Sequence, residues 1–348
     1  MFGINRIQTR AQTLPISKVP SEVDDTSAPS HADLPPEFSE LAGIARAVST
    51  YDLTAGNRIE VLHNGEQAFP AMLQAIDDAT GHVFLSTYIF ETNQTGLDFI
   101  DALGRAAARG VDTRVIVDGV GELYSRPRAS RLLAKRGVHV AKFLPPRLIP
   151  PMLHINLRNH RKVLITDGQL AFTGGMNIGD RHLADVIDNP DRVVDAHFRI
   201  RGPVVGQLQR VFLESWAFVT QKTPEDFPAD ASEAGTAMCR TIIDGPDEDF
   251  DKLLSVLLVA VSAAREQVAI MTPYFIPPRE LVGALKSAAL RGVDVAVILP
   301  GRNNLPFMHW ASRNMLWELL QRGVRIYLQP PPFVHTKLLM VDRHYVQV

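Results

Sequence analysis

From residue 59 onward, short apolar and β-branched runs alternate with longer stretches in which apolar positions recur every three or four residues. Ile59–Leu62 reads as a strand, 68–79 as a helix, 82–88 as a strand, 96–109 as an alanine-rich helix and 112–118 as another strand. This alternation predicts an α/β layer structure with a largely parallel sheet. Residues 1–40 break the pattern. Their stretch SEVDDTSAPSHADLPPEF offers too little apolar surface to offset its ordering entropy, and predicts a flexible tail.

The same order of elements recurs. LQAIDDATGHVFLSTYIF followed by ALGRAAARGVDTRVIVDG in the first part of the chain parallels LLVAVSAAREQVAIMTPYFIP followed by ALKSAALRGVDVAVILPG in the second. Each copy has a helix, an apolar strand ending beside aromatic residues, a second helix, the tetrapeptide RGVD and another strand. LLAKRGVHV and LLQRGVRIY add a third echo. Such self-similarity predicts a duplicated fold, with halves at 41–222 and 241–348 and an acidic, polar linker at 223–240.

Composition narrows the function classes. With 348 residues and a 46% hydrophobic share, the chain is long enough for two real cores. One cysteine, Cys239, excludes a disulfide framework and a cysteine-rich metal cluster. The net charge of −2 argues against a protein that grips nucleic acid by bulk charge. Neither a signal peptide nor a spanning segment is visible, since the longest apolar run, Leu253–Ala264, is too short to cross a bilayer. A peripheral membrane role stays open.

Chemistry is carried by two copies of H-x-K-x4-D. NHRKVLITDGQLAFTGGMN holds His160, Lys162 and Asp167, followed by Gly174, Gly175 and Asn177; HTKLLMVD holds His335, Lys337 and Asp342 at the same internal spacing. Chance placement in this composition gives roughly 0.02 copies, so two in matching repeat positions are not accidental. In an extended segment alternate side chains share a face, which places each histidine beside its lysine. A histidine can attack as a base or donate as an acid, and a lysine can hold a phosphate oxygen. Two such faces meeting would surround one phosphodiester with a nucleophile, an acid and two cations. Gly174 and Gly175 would let the backbone approach the phosphate, with Asn177 donating from its amide.

At these residues the chain resembles the phospholipase D superfamily, and most of all its bacterial cardiolipin synthase branch. GNRIEVLHNGEQAFPAML, TYIF, NLRNHRK, FTGGMN, IRGPVV, DGPDED and TPYFIP carry the likeness, from about Asn57 to the last residue. The resemblance implies two similar α/β/α-sandwich halves meeting at a pseudo-twofold active site. It also implies a two-step transfer that uses neither metal nor cofactor, through a phosphohistidine. On that pattern His160 is the nucleophile and His335 the acid/base, while Lys162 and Lys337 clamp phosphate. Asp195, in VVDAHFRI, is the carboxylate expected to hydrogen-bond the first histidine, and Asp167 and Asp342 complete the motifs in a structural role.

The function so implied is phosphatidyl transfer that makes cardiolipin from phosphatidylglycerol, by a protein peripheral to the cytoplasmic side of a membrane. One rival is a phosphodiesterase that hydrolyses phospholipid or nucleic acid. Another is a catalytically impaired lipid-binding chain, because the sequence stops six residues after Asp342, where the first half continues to Gly174, Gly175 and Asn177. Among the remaining features, the proline-rich stretch FLPPRLIPPMLHINL reads equally as a lipid-dipping loop, through Leu148–Leu153, or as a packed loop at the site mouth. His154, His182 and His197 match no metal-ligand spacing. Trp216, Trp310 and Trp317 fall in core-like helical patterns, and Arg109 and Arg291 read as charges opposing the dipoles of the helices they end.

Overall fold

The structure, a computed structural model, describes residues 42–43, 45–46, 49–148, 151–152, 158–222, 227–229, 232–243, 252–303 and 315–348, with the backbone alone at 147–148 and 151–152. The expected tail lies outside these residues, as do Trp310, His154 and the rest of residues 149–150 and 153–157 of the proline-rich loop. The chain divides into two compact units. The first comprises Tyr51–Leu183 and Ala196–Asp249; the second contains Ala184–Asp195 and Phe250–Val348.

In chain order the first unit supplies β1 (Thr54–His63), α1 (Asn64–Asp78), β2 (His82–Thr87), α2 (Gln94–Ala108), β3 (Asp112–Asp118), α3 (Ala129–Lys135), β4 (His139–Phe143), the short pair β5 (Arg147–Leu148) and β6 (Pro151–Met152), β7 (Val163–Thr166) and β8 (Leu170–Gly174). The second contributes β9 (Val193–Val194). The first resumes with β10 (Ala196–Arg201), α4 (Val204–Thr220) and β11 (Ala237–Cys239). The second then runs α5 (Lys252–Ala263), β12 (Gln267–Met271), α6 (Arg279–Leu290), β13 (Asp294–Pro300), β14 (Arg325–Gln329), β15 (Phe333–Val334), β16 (Leu338–Val341) and β17 (Tyr345–Gln347).

The main sheet of the first unit has the order β11-β1-β10-β8-β7-β2-β3-β4. It is not largely parallel. Only β2–β3 and β3–β4 are parallel, each pair joined by a crossover through a helix, α2 and α3 respectively. β7 and β8 are joined by a three-residue turn and must run antiparallel, and β1, β10 and β11 continue that sense. Strand alternation sorts the core into two layers. Val83 and Leu85 of β2 join Phe69 and Ile76 of α1 and Phe99 and Leu103 of α2. Phe84, between them, faces the other way and stacks on Phe212 of α4, with ring centroids 4.9 Å apart and planes 4° apart.

The second unit's sheet has the order β14-β13-β12-β16-β17. Its central pairings repeat those of the first in register. His82 pairs with Asp112 and Val83 with Thr166; Gln267 pairs with Asp294 and Val268 with Val341. Arg109 and Arg291 correspond too. Each reaches past its own helix to the carbonyls that end the preceding one, Arg109 to Ile76 and Ala79 and Arg291 to Val261, Ser262 and Ala264. Their charges thus oppose the dipoles of α1 and α5 rather than of the helices they terminate.

In its described residues the stretch 223–240 contacts the rest of the first unit. Phe227 packs its ring edge against His82 and Phe84, Ala234 donates to the Gly56 carbonyl at 2.7 Å, and β11 pairs with β1. An unpaired edge and an uncovered aromatic face claim a segment that looked merely polar. Trp317 is 62% exposed, whereas Trp216 is buried; in the 315–320 helical turn it is Leu319 that enters the core.

Candidate active site

The motif aspartates are structural pins. Asp167 and Asp342 each take a left-handed backbone conformation, φ 53° and 49°, in the tight turn that follows the motif strand. From there Asp167 accepts hydrogen bonds from the backbone N–H groups of Thr80, Gly81 and His82 at 2.8–2.9 Å. Asp342 accepts those of Arg265, Glu266 and Gln267 at 2.7–2.8 Å. Burial by itself would raise each carboxyl pKa, but these backbone donors outweigh it and hold both below the ordinary carboxylate value. Both aspartates therefore fasten the motif hairpin to the start of the central strand.

His160 and Lys162 precede β7 rather than lie within it. On the extended approach to β7, Lys162 Nζ donates to the carbonyl of His160 at 2.8 Å. The exposed His160 ring lies on Tyr88, with centroids 4.3 Å apart and planes 16° apart, and Lys162 Nζ sits 5.7 Å from the same ring's centre. Tyr88 follows β2, and burial raises its phenol pKa, so it is neutral at physiological pH. The segment is anchored from below by an ion pair: Asp118 Oδ2 accepts from Arg158 Nε at 3.1 Å and from the Asn159 N–H at 3.2 Å. Arg158 also donates to the carbonyls of Phe143 and Leu144, and Asn159 Nδ2 donates to Ser86 Oγ. The acid that ends β3 and the floor of β2 thus set where His160 can be.

In the second unit β9 pairs in parallel with β15, Val193 with Phe333 and Val194 with Val334. The next residue on each strand is Asp195 on one side and His335 on the other. The His335 N–H donates to the Val194 carbonyl at 2.9 Å, and Nδ1 meets the wholly buried Asp195 Oδ2 at 3.1 Å. Asp195 therefore serves the second histidine. A carboxylate only accepts, so Nδ1 carries the proton and Nε2 is left to gain or lose one. Nε2 faces Lys337 Nζ at 3.3 Å, and that ammonium also lies 3.3 Å from the His335 carbonyl. Lys337 is an exposed residue, yet desolvation around its ammonium lowers the pKa below the usual lysine value, with the Asp195 charge opposing the shift. Tyr274, which follows β12 as Tyr88 follows β2, meets His335 edge-on at 6.5 Å.

Gly174 is required by the sheet itself: φ is +152°, and a Cβ there would come within 2.6 Å of the Ala196 carbonyl oxygen on β10. The Gly175 N–H donates to that same oxygen at 3.3 Å. Asn177 uses Oδ1 to accept the Ile89 N–H at 3.1 Å, tying the loop to the chain just beyond Tyr88. Its Nδ2 has no hydrogen-bond partner among the described residues. His182 is buried and accepts the Asn177 N–H, and His197 is buried within β10. No group of three or more His, Cys, Asp or Glu among the described residues is placed to hold a metal ion. Tyr88 and the Asp118–Arg158 pair escaped sequence reasoning as site residues, although TYIF and NLRNHRK are the stretches that contain Tyr88 and Arg158.

Residues 72–216 and 257–348 match the family described as cardiolipin synthase, PLD-like domain. The chain belongs to this family. It is 32% identical over 302 residues to the major cardiolipin synthase ClsA of Bacillus subtilis (strain 168), covering 85% of this chain and 62% of that protein. It is 33% identical over 312 residues to a cardiolipin synthase of Geobacillus thermodenitrificans (strain NG80-2), covering 88% and 62%. The chain thus spans a little under two-thirds of these relatives' length. In fold it is similar to the phosphatidylserine synthase of Haemophilus influenzae Rd KW20, with a TM-score of 0.61 and 13% identity over 87% of this chain and 80% of that one. Membership in the PLD-like family accounts for the two H-x-K-x4-D copies and for the α/β fold of both units.

Proposed function

We propose that this protein is a phosphatidyltransferase that makes cardiolipin from two molecules of phosphatidylglycerol, acting peripherally at the cytoplasmic surface of a membrane. The observation that carries the reading is the relay Asp195–His335–Lys337. An imidazole whose Nδ1–H is held by a buried carboxylate and whose Nε2 lies beside an ammonium is built to pass protons at one nitrogen. The curated relatives named cardiolipin synthase supply the substrate class. No helix among the described residues is long and apolar enough to cross a membrane, so the reading has the lipid come to a surface site.

In the first step a ring nitrogen of neutral His160 attacks phosphorus while the P–O bond to the glycerol headgroup breaks, and His335, charged, gives the departing oxygen its proton. The products are glycerol and a phosphatidyl-histidine. In the second step neutral His335 takes the proton of a glycerol hydroxyl on another phosphatidylglycerol. That oxygen attacks phosphorus and the N–P bond breaks, releasing cardiolipin and restoring both histidines. Lys162 and Lys337 balance the charge on the phosphate oxygens. Asp195 suits the acid/base role because it stabilises the imidazolium without taking the proton.

Incubating the protein with headgroup-labelled phosphatidylglycerol vesicles and analysing the lipids tests this. The expected result is cardiolipin with equimolar free glycerol. Phosphatidic acid as the sole lipid product would assign hydrolysis instead, and vesicle binding without turnover would make the chain a lipid-binding protein.

A further inference from the structure

After β3 the chain passes through a single 3-10 turn, Gly121–Tyr124, before α3 begins at Ala129. This connection is built rather than loose. Asp118 Oδ1 accepts the N–H groups of Val120 and Gly121 at 2.9 and 3.1 Å. Gly121 lies so close to Tyr88 that a Cβ would stand 1.7 Å from the Tyr88 carbonyl oxygen. Further along, the Thr92 N–H donates to Ser125 Oγ at 3.2 Å and Thr92 Oγ1 donates to the Pro127 carbonyl at 2.9 Å. The acidic residue of the turn, Glu122, is withdrawn into the core, where Lys142 and Ser130 bind its carboxylate. What the crest turns to solvent is therefore one-sided. Leu123 is 51% and Tyr124 60% exposed, and the exposed arginines 126, 128 and 131 have no ion-pair partner among the described residues.

We infer that residues 123–131 are a docking surface for an anionic phospholipid bilayer. Two exposed apolar side chains flanked by three guanidinium groups that have no ion-pair partner among the described residues, with the nearby carboxylates of Asp118 and Glu122 both buried, match the two layers of such a surface. Leucine and tyrosine enter the headgroup boundary while arginines meet lipid phosphates. Duplex nucleic acid would satisfy the arginines but leave Leu123 and Tyr124 in water, so lipid is the better fit. The crest abuts Tyr88, whose ring carries His160, so a bilayer seated here presents its own headgroups beside the first motif. This last point rests on the proposed lipid reaction; the docking surface itself does not.

The test is co-sedimentation of the full chain with vesicles of phosphatidylcholine alone or mixed equally with phosphatidylglycerol, beside a duplex DNA shift assay. Wild type is expected to prefer the anionic vesicles, with binding that weakens as salt rises. Leu123→Ser with Tyr124→Ser should weaken binding by at least about ten-fold. Replacing the three arginines by Gln should weaken it by about 100-fold at low salt, from roughly five-fold for each cation near an anionic surface. Leu290→Ser, an exposed position on α6, should change nothing. Should either multiple variant melt early, Tyr124→Trp provides a second reading, an emission blue shift on adding anionic vesicles. Wild-type-like binding by folded variants, no blue shift, or binding to DNA without binding to vesicles would overturn the inference. Crest-dependent binding with no lipid turnover by wild type would leave the surface standing and remove the reaction reading alone.

Discussion

Asp195 Oδ2 lies 3.1 Å from His335 Nδ1, although 139 residues separate the two in sequence. They meet because each is the residue that follows a two-residue strand, and those strands, β9 and β15, pair in parallel. Asp195 is wholly buried and His335 mostly so. One nitrogen of the ring is thus fixed, and the other faces Lys337. Replacing Asp195 by Asn keeps the shape but allows the wrong tautomer, which in comparable triads costs on the order of 10⁴ in turnover. Asp195→Asn should therefore lower kcat at least about 10²-fold with little change in KM. A loss under three-fold would mean that Asp195 only supports the β9–β15 pair.

Tyr88 serves His160 by a different device, a flat stack. Tyr88→Leu should remove the surface on which the imidazole rests and lower kcat by about ten-fold, an aromatic pair contributing roughly 0.5–1.5 kcal/mol beyond its area. Tyr88→Phe should restore most of the rate, because the ring and not the hydroxyl makes the contact. The proton resonances of His160 should carry the ring-current shift of the stack in wild type and Phe, and lose it in Leu. Equal losses in both variants would assign the role to the hydroxyl.

Beneath that stack, Asp118 and Arg158 form an ion pair with side chains 0% and 4% exposed. Removing one member of such a pair leaves the other charge buried, at a cost of about 3–5 kcal/mol. Arg158→Met is expected to lower the thermal midpoint by several degrees or more and to reduce activity further than stability explains, since Arg158 also holds the chain entering His160. A variant as stable as wild type would show that water replaces the partner.

The motif aspartates predict a pH dependence of stability, not of catalysis. Their folded pKa values lie below the ordinary carboxylate value. A depressed folded pKa contributes stability that is fully present above the unfolded pKa, about 3.9, and is lost as pH falls through the folded one. The stability difference between wild type and Asp167→Asn should thus be constant above about pH 5 and shrink below about pH 4. A difference that grows on acidification would contradict the sign.

Much of this was legible in the sequence because it is local. The strands at 82–88 and 112–118 and the helices between them follow from apolar period, and each motif aspartate lies within a hairpin that its own spacing specifies. What escaped depends on long-range pairing. Nothing near VVDAHF indicates that its carboxylate faces the histidine of HTKLLMVD, since two-residue strands leave no periodic trace. Phe227 hid in an acidic stretch because one aromatic residue is enough to dock it on Phe84. Trp317 was misplaced for the opposite reason: a helical apolar pattern identifies a face without saying whether anything covers it.

The division of labour between the histidines is the centre of the account, and rapid quenching with phosphatidylglycerol labelled on its phosphorus tests it directly. Acid-labile, base-stable label should map to the peptide containing His160, be absent from His160→Ala, and never appear on His335. Label on the His335 peptide that persists in His160→Ala and vanishes in His335→Ala would reverse the roles and make Asp195 the partner of the nucleophile.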